Sequence, residues 1–186
     1  MRKLVVTENI TVDGVIEASE GWFDPTDDTV DRSDLIEQTQ QHSAAADTFL
    51  AGRKTFESFR GFWPKQTDDR TGVTDYLNRV QKYVVSSTIT NPEWENSIVL
   101  RGPLREEITR LKDQPGRDIV TTGSIQLVHG LIAAGLVDAY RLFVYPTVLG
   151  RGARLFADTT TVPKLTLTDS RTFRSGVVLL TYAVTP

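Results

Sequence analysis

The chain has 186 residues with 24 acidic and 21 basic side chains, for a formal net charge of −3 at pH 7. This length suits one domain, and the sequence predicts a single domain over residues 1–186. The weak negative charge and the lack of a Lys/Arg run argue against a nucleic-acid partner. With no cysteine and only two histidines, the sequence predicts neither disulfides nor a metal site. No stretch reaches the ~20 apolar residues of a membrane span, and we expect a cytoplasmic protein without a membrane partner.

Short apolar runs alternate with helical patterns along the first half of the chain. The predicted elements are a strand over 4–6, an irregular loop over 17–28, a helix over 33–46, a strand over 48–51, a helix over 52–59 and a loop over 61–72. Ser33 is the expected N-cap of the first helix, with Glu37 reaching back toward its first turn.

The second half continues the alternation and ends in a hairpin. Its predicted elements are strands over 82–86 and 98–100, a helix over 103–112 that opens on Pro103, a strand over 118–122, a helix over 124–134, a strand over 139–145 and a hairpin of 165–173 with 177–184. The pattern predicts an α/β fold with a mostly parallel central sheet, flanking helices and a C-terminal antiparallel pair. Ligands of such sheets bind outside the carboxyl ends of the strands.

The turn after the second predicted strand is a candidate phosphate site. Gly52 allows close approach, and Arg53, Lys54 and Thr55 supply donors at the start of a helix. Basic residues oppose the helix dipole at this end, and a bound anion would compensate for them. The alternative is an ordinary solvated helix start, and on composition alone the two interpretations are evenly balanced.

A second turn of the same kind follows the strand over 118–122. Gly123 leaves room for a pyrophosphate, and Ser124 can donate to it or simply cap the helix. Two such turns in one chain favour a dinucleotide over a single capped helix. Ser86 and Ser87, at the end of another strand, either bind a ribose phosphate or end the strand through hydrogen bonds to the backbone.

The ordered series of these segments resembles the dihydrofolate reductase-like superfamily. The resemblance is carried by Thr11-Val12-Asp13-Gly14, Gly52-Arg53-Lys54-Thr55-Phe56-Glu57 and Val84-Val85-Ser86-Ser87. It narrows to the branch named after the C-terminal reductase domain of bacterial riboflavin biosynthesis through Gly123-Ser124-Ile125-Gln126-Leu127, 135–142, Pro146, Leu149-Gly150-Arg151-Gly152 and Leu155-Phe156. The resemblance covers essentially the whole chain.

The resemblance implies a dihydrofolate reductase-like fold and an NADPH-dependent reductase of a small molecule, in a family that commonly forms homodimers. The residues it assigns to the cofactor NADP(H) are Arg53, Lys54, Thr55, Ser86 and Ser87 for the 2′-phosphate and adenosine, Thr122, Gly123, Ser124 and Ile125 for the pyrophosphate, and Val12, Gly14 and Ile16 for the nicotinamide. For the homodimer we expect contact through the strand over 139–145 and the C-terminal hairpin.

The substrate and the catalytic acid are left open by the sequence. Asp34 is the candidate acid and Glu37 its neighbour, although both also suit a helix start. The chain lacks the cysteines of a deaminase partner domain, so the substrate is expected to be a pterin-, pyrimidine- or similar heterocycle-like molecule. The alternative is a non-catalytic NADP- or nucleotide-binding module with the same fold.

Three more residues have a plain and a functional interpretation. His42 and His129 are expected at the surface, without a nucleophile beside them. Trp22, in the acidic loop over 17–28, either anchors that loop to the core or stacks on a flat heterocycle, and we favour the anchor.

Overall fold

The computed structural model describes residues 1–18, 21–24, 29–156 and 164–185. Its strands are β1 (Leu4–Thr11), β2 (Ala46–Gly52), β3 (Gln81–Val85), β4 (Ser97–Leu100), β5 (Asp118–Thr121), β6 (Ala139–Tyr145), β7 (Lys164–Thr172) and β8 (Val178–Thr185). Its helices are α1 (Ser33–Ala45), α2 (Arg53–Phe62), α3 (Val73–Arg79), α4 (Leu104–Asp113) and α5 (Ile125–Ala133), with a 3₁₀ turn at Trp63–Lys65. No helix in these ranges has the length and apolar content to cross a bilayer.

The strands form one mixed sheet in the order β4-β3-β2-β5-β1-β6-β8-β7. The six strands from β4 to β6 are parallel, and β8 joins β6 and β7 in antiparallel pairs. Sheets of this kind need helices on both faces because their strands are buried on both sides. The predicted fold class, a mostly parallel sheet with flanking helices and a C-terminal hairpin, is confirmed.

Unequal strand lengths open the sheet beside β1. This strand pairs with β5 only over Leu4–Val6, but it pairs with β6 over Val5–Thr11. The carboxyl half of β1 therefore extends past the end of β5, where the β5–α5 turn comes to lie. Crevices at such positions are where α/β sheets bind their ligands.

Three groups of buried apolar side chains hold the layers together. The largest lies between the sheet and helices α4 and α5, and includes Leu4, Val6 and Leu131. A second joins α2 and α3 to β2 and β3 around Phe49 and Phe56. A third packs the tip of the C-terminal hairpin against β6.

The helix starts differ in detail from those predicted from the sequence. Ser33 is the first residue of α1 rather than its N-cap, and its backbone N–H donates to the Asp31 carboxylate. Pro103 likewise precedes α4 as the cap residue. Glu37 accepts a hydrogen bond from Gln41 instead of reaching back to the helix start. Helix α3 follows the loop over 61–72 and was not predicted.

Candidate functional site

A cleft of about 1280 Å³ lies between the sheet, helix α1 and the segment after α2. One end of it reaches Ile16, Thr122 and Gly123 at the carboxyl edge of the sheet. Elsewhere its walls are largely aromatic, and include Trp22, Phe49, Phe59, Trp63, Phe143 and Tyr145. A concave, mostly apolar pocket with a few polar groups is the usual form of a small-molecule site.

Side-chain hydrogen bonds join the two glycine-bearing turns to each other. The backbone N–H of Gly52 donates to Ser124 Oγ at 3.0 Å, and the Ser124 N–H donates to Thr55 Oγ1 at 2.8 Å. Gly123 and Ser124 both have left-handed backbone angles, with φ of +59° and +49°. The turn after β5 is thus fixed against the start of α2, and the sequence-predicted residues Thr55, Gly123 and Ser124 lie together.

Glu8 is a buried carboxyl at the cleft end of this arrangement. It is 2% exposed, and its Oε2 accepts the backbone N–H of Gly123 at 3.0 Å. Its Oε1 has no hydrogen-bond partner among the described residues. Burial raises the pKa of this carboxyl well above 4.5, against the opposing effect of the Gly123 bond. The Gly123 amide therefore already has a partner, although the sequence interpretation assigned this turn to a pyrophosphate.

The start of α2 carries exposed positive charge. Arg53 and Lys54 are exposed in a first turn that holds no acidic residue. Among the described residues, Arg53 pairs with Glu57 one turn later, at 3.4 Å and with both side chains over 40% exposed. Such an exposed pair contributes little, so the guanidinium is available to a ligand.

The Ser86 and Ser87 pair lies beside this helix start. Gly52 and Val85 are register partners at the ends of β2 and β3, which places Ser86 next to the α2 turn. Ser86 Oγ accepts the backbone N–H groups of Thr88 and Ile89, so it ends the strand. The side chain of Ser87 is exposed.

Of the residues expected to contact a nicotinamide, the structure places some at the cleft and others outside it. Ile16 is buried and lines the cleft, whereas the Val12 side chain is 62% exposed and lies outside it. Gly14 has φ of +85° and closes a turn on Thr11. Asp13 fixes this turn by accepting the N–H groups of Leu149 and Gly150. The Thr11 hydroxyl also donates to it, and this bond, together with those from the two backbone groups, lowers the pKa of Asp13 to about 2.

The structure does not bring Asp34 into the cleft. Its carboxylate accepts the backbone N–H of Arg174 at 3.0 Å, in the turn of the C-terminal hairpin. The α1 residues that line the cleft are Ser33, Leu35, Ile36, Thr39, His42 and Ser43. Asp34 lies on a different face of α1 from these residues. Its bond to Arg174 anchors the hairpin to the helix instead.

His42 is a cleft residue, so the expected surface position is wrong. Its ring lies 6.1 Å from that of Phe143, and its Nε2 is 2.9 Å from Gln38 Nε2. Burial, with the nearby charges of Arg141 and Arg171, lowers the pKa of His42 to about 4. The imidazole is therefore neutral at pH 7. His129, in contrast, lies outside the cleft and contacts the backbone oxygen of Arg154.

Trp22 anchors its loop and lines the cleft at once. Its indole N–H donates to the Glu17 carbonyl at 2.8 Å, and its ring meets Tyr145 edge-on at 5.5 Å. The remaining loop residues 19–20 and 25–28 lie outside the described residues.

The sequence profile of the RibD C-terminal domain family matches residues 2–179. The chain belongs to the RibD C-terminal domain family. A relative of this RibD C-terminal domain is the uncharacterized protein YyaP of Bacillus subtilis, which is 34% identical over 185 residues, covering 97% of this chain and 94% of YyaP.

Solved structures share the fold of this RibD C-terminal domain. A pyrimidine reductase-like protein from Corynebacterium diphtheriae superposes with a TM-score of 0.68 at 16% identity, covering 100% of this chain and 92% of its own. The diaminohydroxyphosphoribosylaminopyrimidine deaminase/5-amino-6-(5-phosphoribosylamino)uracil reductase of Thermotoga maritima gives 0.63 at 15% identity, covering 99% of this chain and 57% of its own. These likenesses establish a dihydrofolate reductase-like architecture.

Glu8 and His42 were not predicted to belong to the site, although the sequence pattern around each of them indicates a shared face with apolar residues. Glu8 shares one face of β1 with Leu4, Val6 and Ile10, so it is a lone acid on a buried stripe. His42 follows Leu35 by seven residues, which places both on one face of α1. Each pattern becomes informative only when it is known which face of the strand or helix is covered by other elements.

Proposed function

We propose that this RibD C-terminal domain is an NADPH-dependent reductase of a small heterocyclic molecule. The observation that carries the proposal is the continuity of the cleft, which runs from an aromatic chamber to the Thr122–Gly123 turn at the edge of the sheet. A reductase needs this arrangement, because dinucleotide and substrate must meet in one enclosed space.

The residues at the edge suit a phosphorylated dinucleotide. Arg53 and Lys54 at the start of α2 supply cationic donors, and the first-turn amides of α2 and α5 have no partner within their own helices. A Cβ on Gly123 would lie 3.3 Å from Thr55 Oγ1, so the glycine keeps this approach open. An arginine beside a ribose favours NADP over NAD.

The names of related proteins support the same chemistry. The solved structures that share this fold include a pyrimidine reductase-like protein and a protein named as a uracil reductase. Membership of the RibD C-terminal domain family over most of the chain supports a reductase here. A bound NADPH would supply a hydride, and the chain would orient the reactants and exclude water.

The experiment that tests the cofactor compares NADPH with NADH on wild type and Arg53→Ala. Loss of a charge-assisted hydrogen bond costs about 1.5–3 kcal/mol, which corresponds to a decrease in NADPH affinity of about tenfold to a hundredfold. We expect NADH affinity to change much less, since NADH lacks the 2′-phosphate. Isothermal titration calorimetry measures both affinities.

Arg110→Ala is the matched control for this experiment. Arg110 is also an exposed helical arginine with a nearby glutamate partner, Glu107, but it lies on α4. Its variant should bind NADPH as wild type does. An unchanged preference for NADPH in Arg53→Ala would remove Arg53 from the proposed role, and no binding of NADPH at millimolar concentration would overturn the enzymatic proposal.

A nucleotide-binding module without turnover is the second candidate. It is favoured by the position of Asp34, which leaves the expected acid outside the cleft. NADPH consumption at 340 nm, measured with a panel of pterins, ribitylaminopyrimidines and quinones, separates the two functions. Turnover with any of these substrates supports the reductase, and tight NADPH binding without turnover supports the module.

A further inference from the structure

The turn between β5 and α5 has a backbone shape that its own sequence does not favour. Gly123 and the residue after it, Ser124, are both left-handed, with φ of +59° and +49°. Glycine takes this conformation readily, but it is unfavourable for a residue that carries a Cβ. Contacts with other elements must therefore hold Ser124 in this shape.

Three hydrogen bonds that involve side chains tie the turn to three different elements. The Gly123 N–H donates to Glu8 Oε2 on β1, and the Ser124 N–H donates to Thr55 Oγ1 on α2. Ser124 Oγ accepts the N–H of Gly52 at the end of β2. Of these bonds, the one to Glu8 joins the residues that are most distant in the chain, since 115 positions separate it from Gly123.

The Glu8 side chain continues the connection between β1 and β5 where the strand pairing stops. The last register pair of these strands is Val6 with Thr121. Glu8 lies two residues past Val6, and Gly123 lies two residues past Thr121. The bond between Glu8 and Gly123 therefore stands where the next pair on the same face would be, and it fixes the first residue of the turn that has left the sheet.

A carboxyl at this position is unfavourable for the core around it. Glu8 is 2% exposed, and its neighbours on the same face of β1, Val6 and Ile10, are buried and apolar. Its register partner on β6, Leu142, is apolar as well. Burying a polar group in such surroundings lowers stability unless its bonds compensate. The contact with the turn is what this side chain contributes in return.

The second carboxyl oxygen of Glu8 has an unpartnered neighbour on β5. Glu8 Oε1 and Thr121 Oγ1 are both buried without a hydrogen-bond partner among the described residues. Because Thr121 pairs with Val6, it projects from the same face of the sheet as Glu8. Burial raises the pKa of Glu8, and a neutral carboxyl can donate. One buried water between the two atoms would satisfy both.

We propose that Glu8 is a positioning residue of the dinucleotide site, which holds the β5–α5 turn so that the N–H groups after Ser124 face the ligand. The amides of Gly123 and Ser124 are bound within the protein, which leaves those of the first turn of α5 for a diphosphate. Glu8 acts through the turn rather than by contact with the cofactor. The inference rests on the proposed function in taking this turn as the cofactor side of the cleft.

Amide hydrogen exchange of Gly123, followed by ¹H–¹⁵N NMR on the free protein, tests the hold on the turn. We expect this amide to exchange about tenfold faster in Glu8→Leu than in wild type, because local opening of the turn then exposes it. The amides of β3, which report on global unfolding, should change much less. Glu8→Gln should keep the protection, since its amide oxygen can accept the same N–H. Equal exchange of Gly123 in wild type and Glu8→Leu would overturn the inference.

Calorimetry on the same variants tests whether the hold matters for the cofactor. If the turn takes its binding shape only part of the time, the apparent affinity falls by that fraction. We expect Glu8→Leu to bind NADPH about tenfold more weakly than wild type, a difference of about 1.4 kcal/mol. Glu8→Gln should restore the affinity. NADH binding should weaken by the same factor as NADPH binding, because both dinucleotides carry the diphosphate.

Glu107→Leu is the matched control for both measurements. Glu107 also accepts the backbone N–H of a glycine, Gly102, at 2.9 Å, but it does so at the start of α4. Its variant should speed the exchange of Gly102 and keep the affinity for NADPH. If Glu8→Leu does not fold, Glu8→Asp takes its place, because a side chain one methylene shorter withdraws the carboxyl from Gly123.

The outcomes separate this inference from the proposed function. Equal NADPH affinity in wild type and Glu8→Leu, or a loss of affinity in Glu8→Gln as large as in Glu8→Leu, would overturn the positioning role alone. A wild type that binds no NADPH would instead overturn the proposed function, and the exchange of Gly123 would still decide whether Glu8 holds the turn.

Discussion

Glu8 shows how one residue can link the sheet to the candidate site. It occupies a position on β1 whose neighbours on the same face are apolar and buried. Among the described residues, its carboxyl accepts one hydrogen bond, from the backbone N–H of Gly123. A buried carboxyl with one unpartnered oxygen lowers stability when it is ionised, so this residue is better explained by the cleft than by the core.

The stability of the chain should show the ionisation of Glu8. Because burial raises the folded-state pKa above 4.5, the unfolded chain releases this proton first. Glu8 therefore lowers stability progressively as pH rises from about 4.5 to the folded pKa. We expect Glu8→Gln and wild type to melt at similar temperatures at pH 4, and Glu8→Gln to melt higher at pH 8.

Differential scanning calorimetry at both pH values measures this difference. Glu106→Gln, at an exposed position in the first turn of α4, controls for the loss of one negative charge. If the difference between Glu8→Gln and wild type were the same at pH 4 and pH 8, the carboxyl would not be held in its neutral form.

At the scale of elements, the sequence predicts best what depends on neighbours in the chain. The strand over 139–145 is recovered at both ends, because its alternating pattern and its aromatic residues favour a strand locally. The glycine turns after β2 and β5 also lie where expected, since a glycine acts on its own position in the chain. Helix α3 was missed, since its seven residues follow a polar loop and carry little apolar periodicity.

Contacts between distant residues set the limit of that prediction. Glu8 meets Gly123 across 115 residues, and Asp34 meets Arg174 across 140. Local pattern places Asp34 in the correct helix but cannot say that a hairpin will occupy its face. The same limit applies to His42, whose environment is supplied by β6 and by Arg171 on β7.

The turn between β5 and α5 gives a prediction at this scale. Gly123→Ala introduces a left-handed alanine and a Cβ that would lie 3.3 Å from Thr55 Oγ1. The backbone conformation alone costs about 1–2 kcal/mol, and displacement of Thr55 should break its bond to the Ser124 N–H. We expect a lower free energy of unfolding and weaker NADPH binding, measured by urea titration and calorimetry.

Gly135→Ala separates the two effects. Gly135 has nearly the same angle, φ of +64°, but a Cβ there meets nothing within 4 Å. Gly135→Ala should lose only the backbone contribution of about 1–2 kcal/mol and keep its NADPH affinity. If both variants bound NADPH as wild type does, the β5–α5 turn would have no part in the cofactor site.

At the scale of the whole molecule, the two edges of the sheet are unequal. One edge is β4, which has four residues, and the other is β7, which has nine, almost all of them exposed. A long edge with unpaired backbone groups invites pairing with another chain. The strand β6, the other expected dimer contact, lies inside the sheet between β1 and β8 and has no free edge.

We therefore propose that a homodimer forms through β7 alone. Two copies related by a twofold axis would pair their β7 strands and bring together residues near the middle of the strand, such as Leu167, which is 52% exposed. Leu167→Asp should place like charges opposite each other and convert the dimer to a monomer. Ile98→Asp is the matched control, because Ile98 is 48% exposed on the opposite edge strand β4.

Light scattering after size exclusion measures the mass of each variant in solution. We expect twice the chain mass for wild type and Ile98→Asp, and the mass of one chain for Leu167→Asp. A monomeric wild type would contradict the dimer, and a dimer that only Ile98→Asp disrupts would place the contact away from β7.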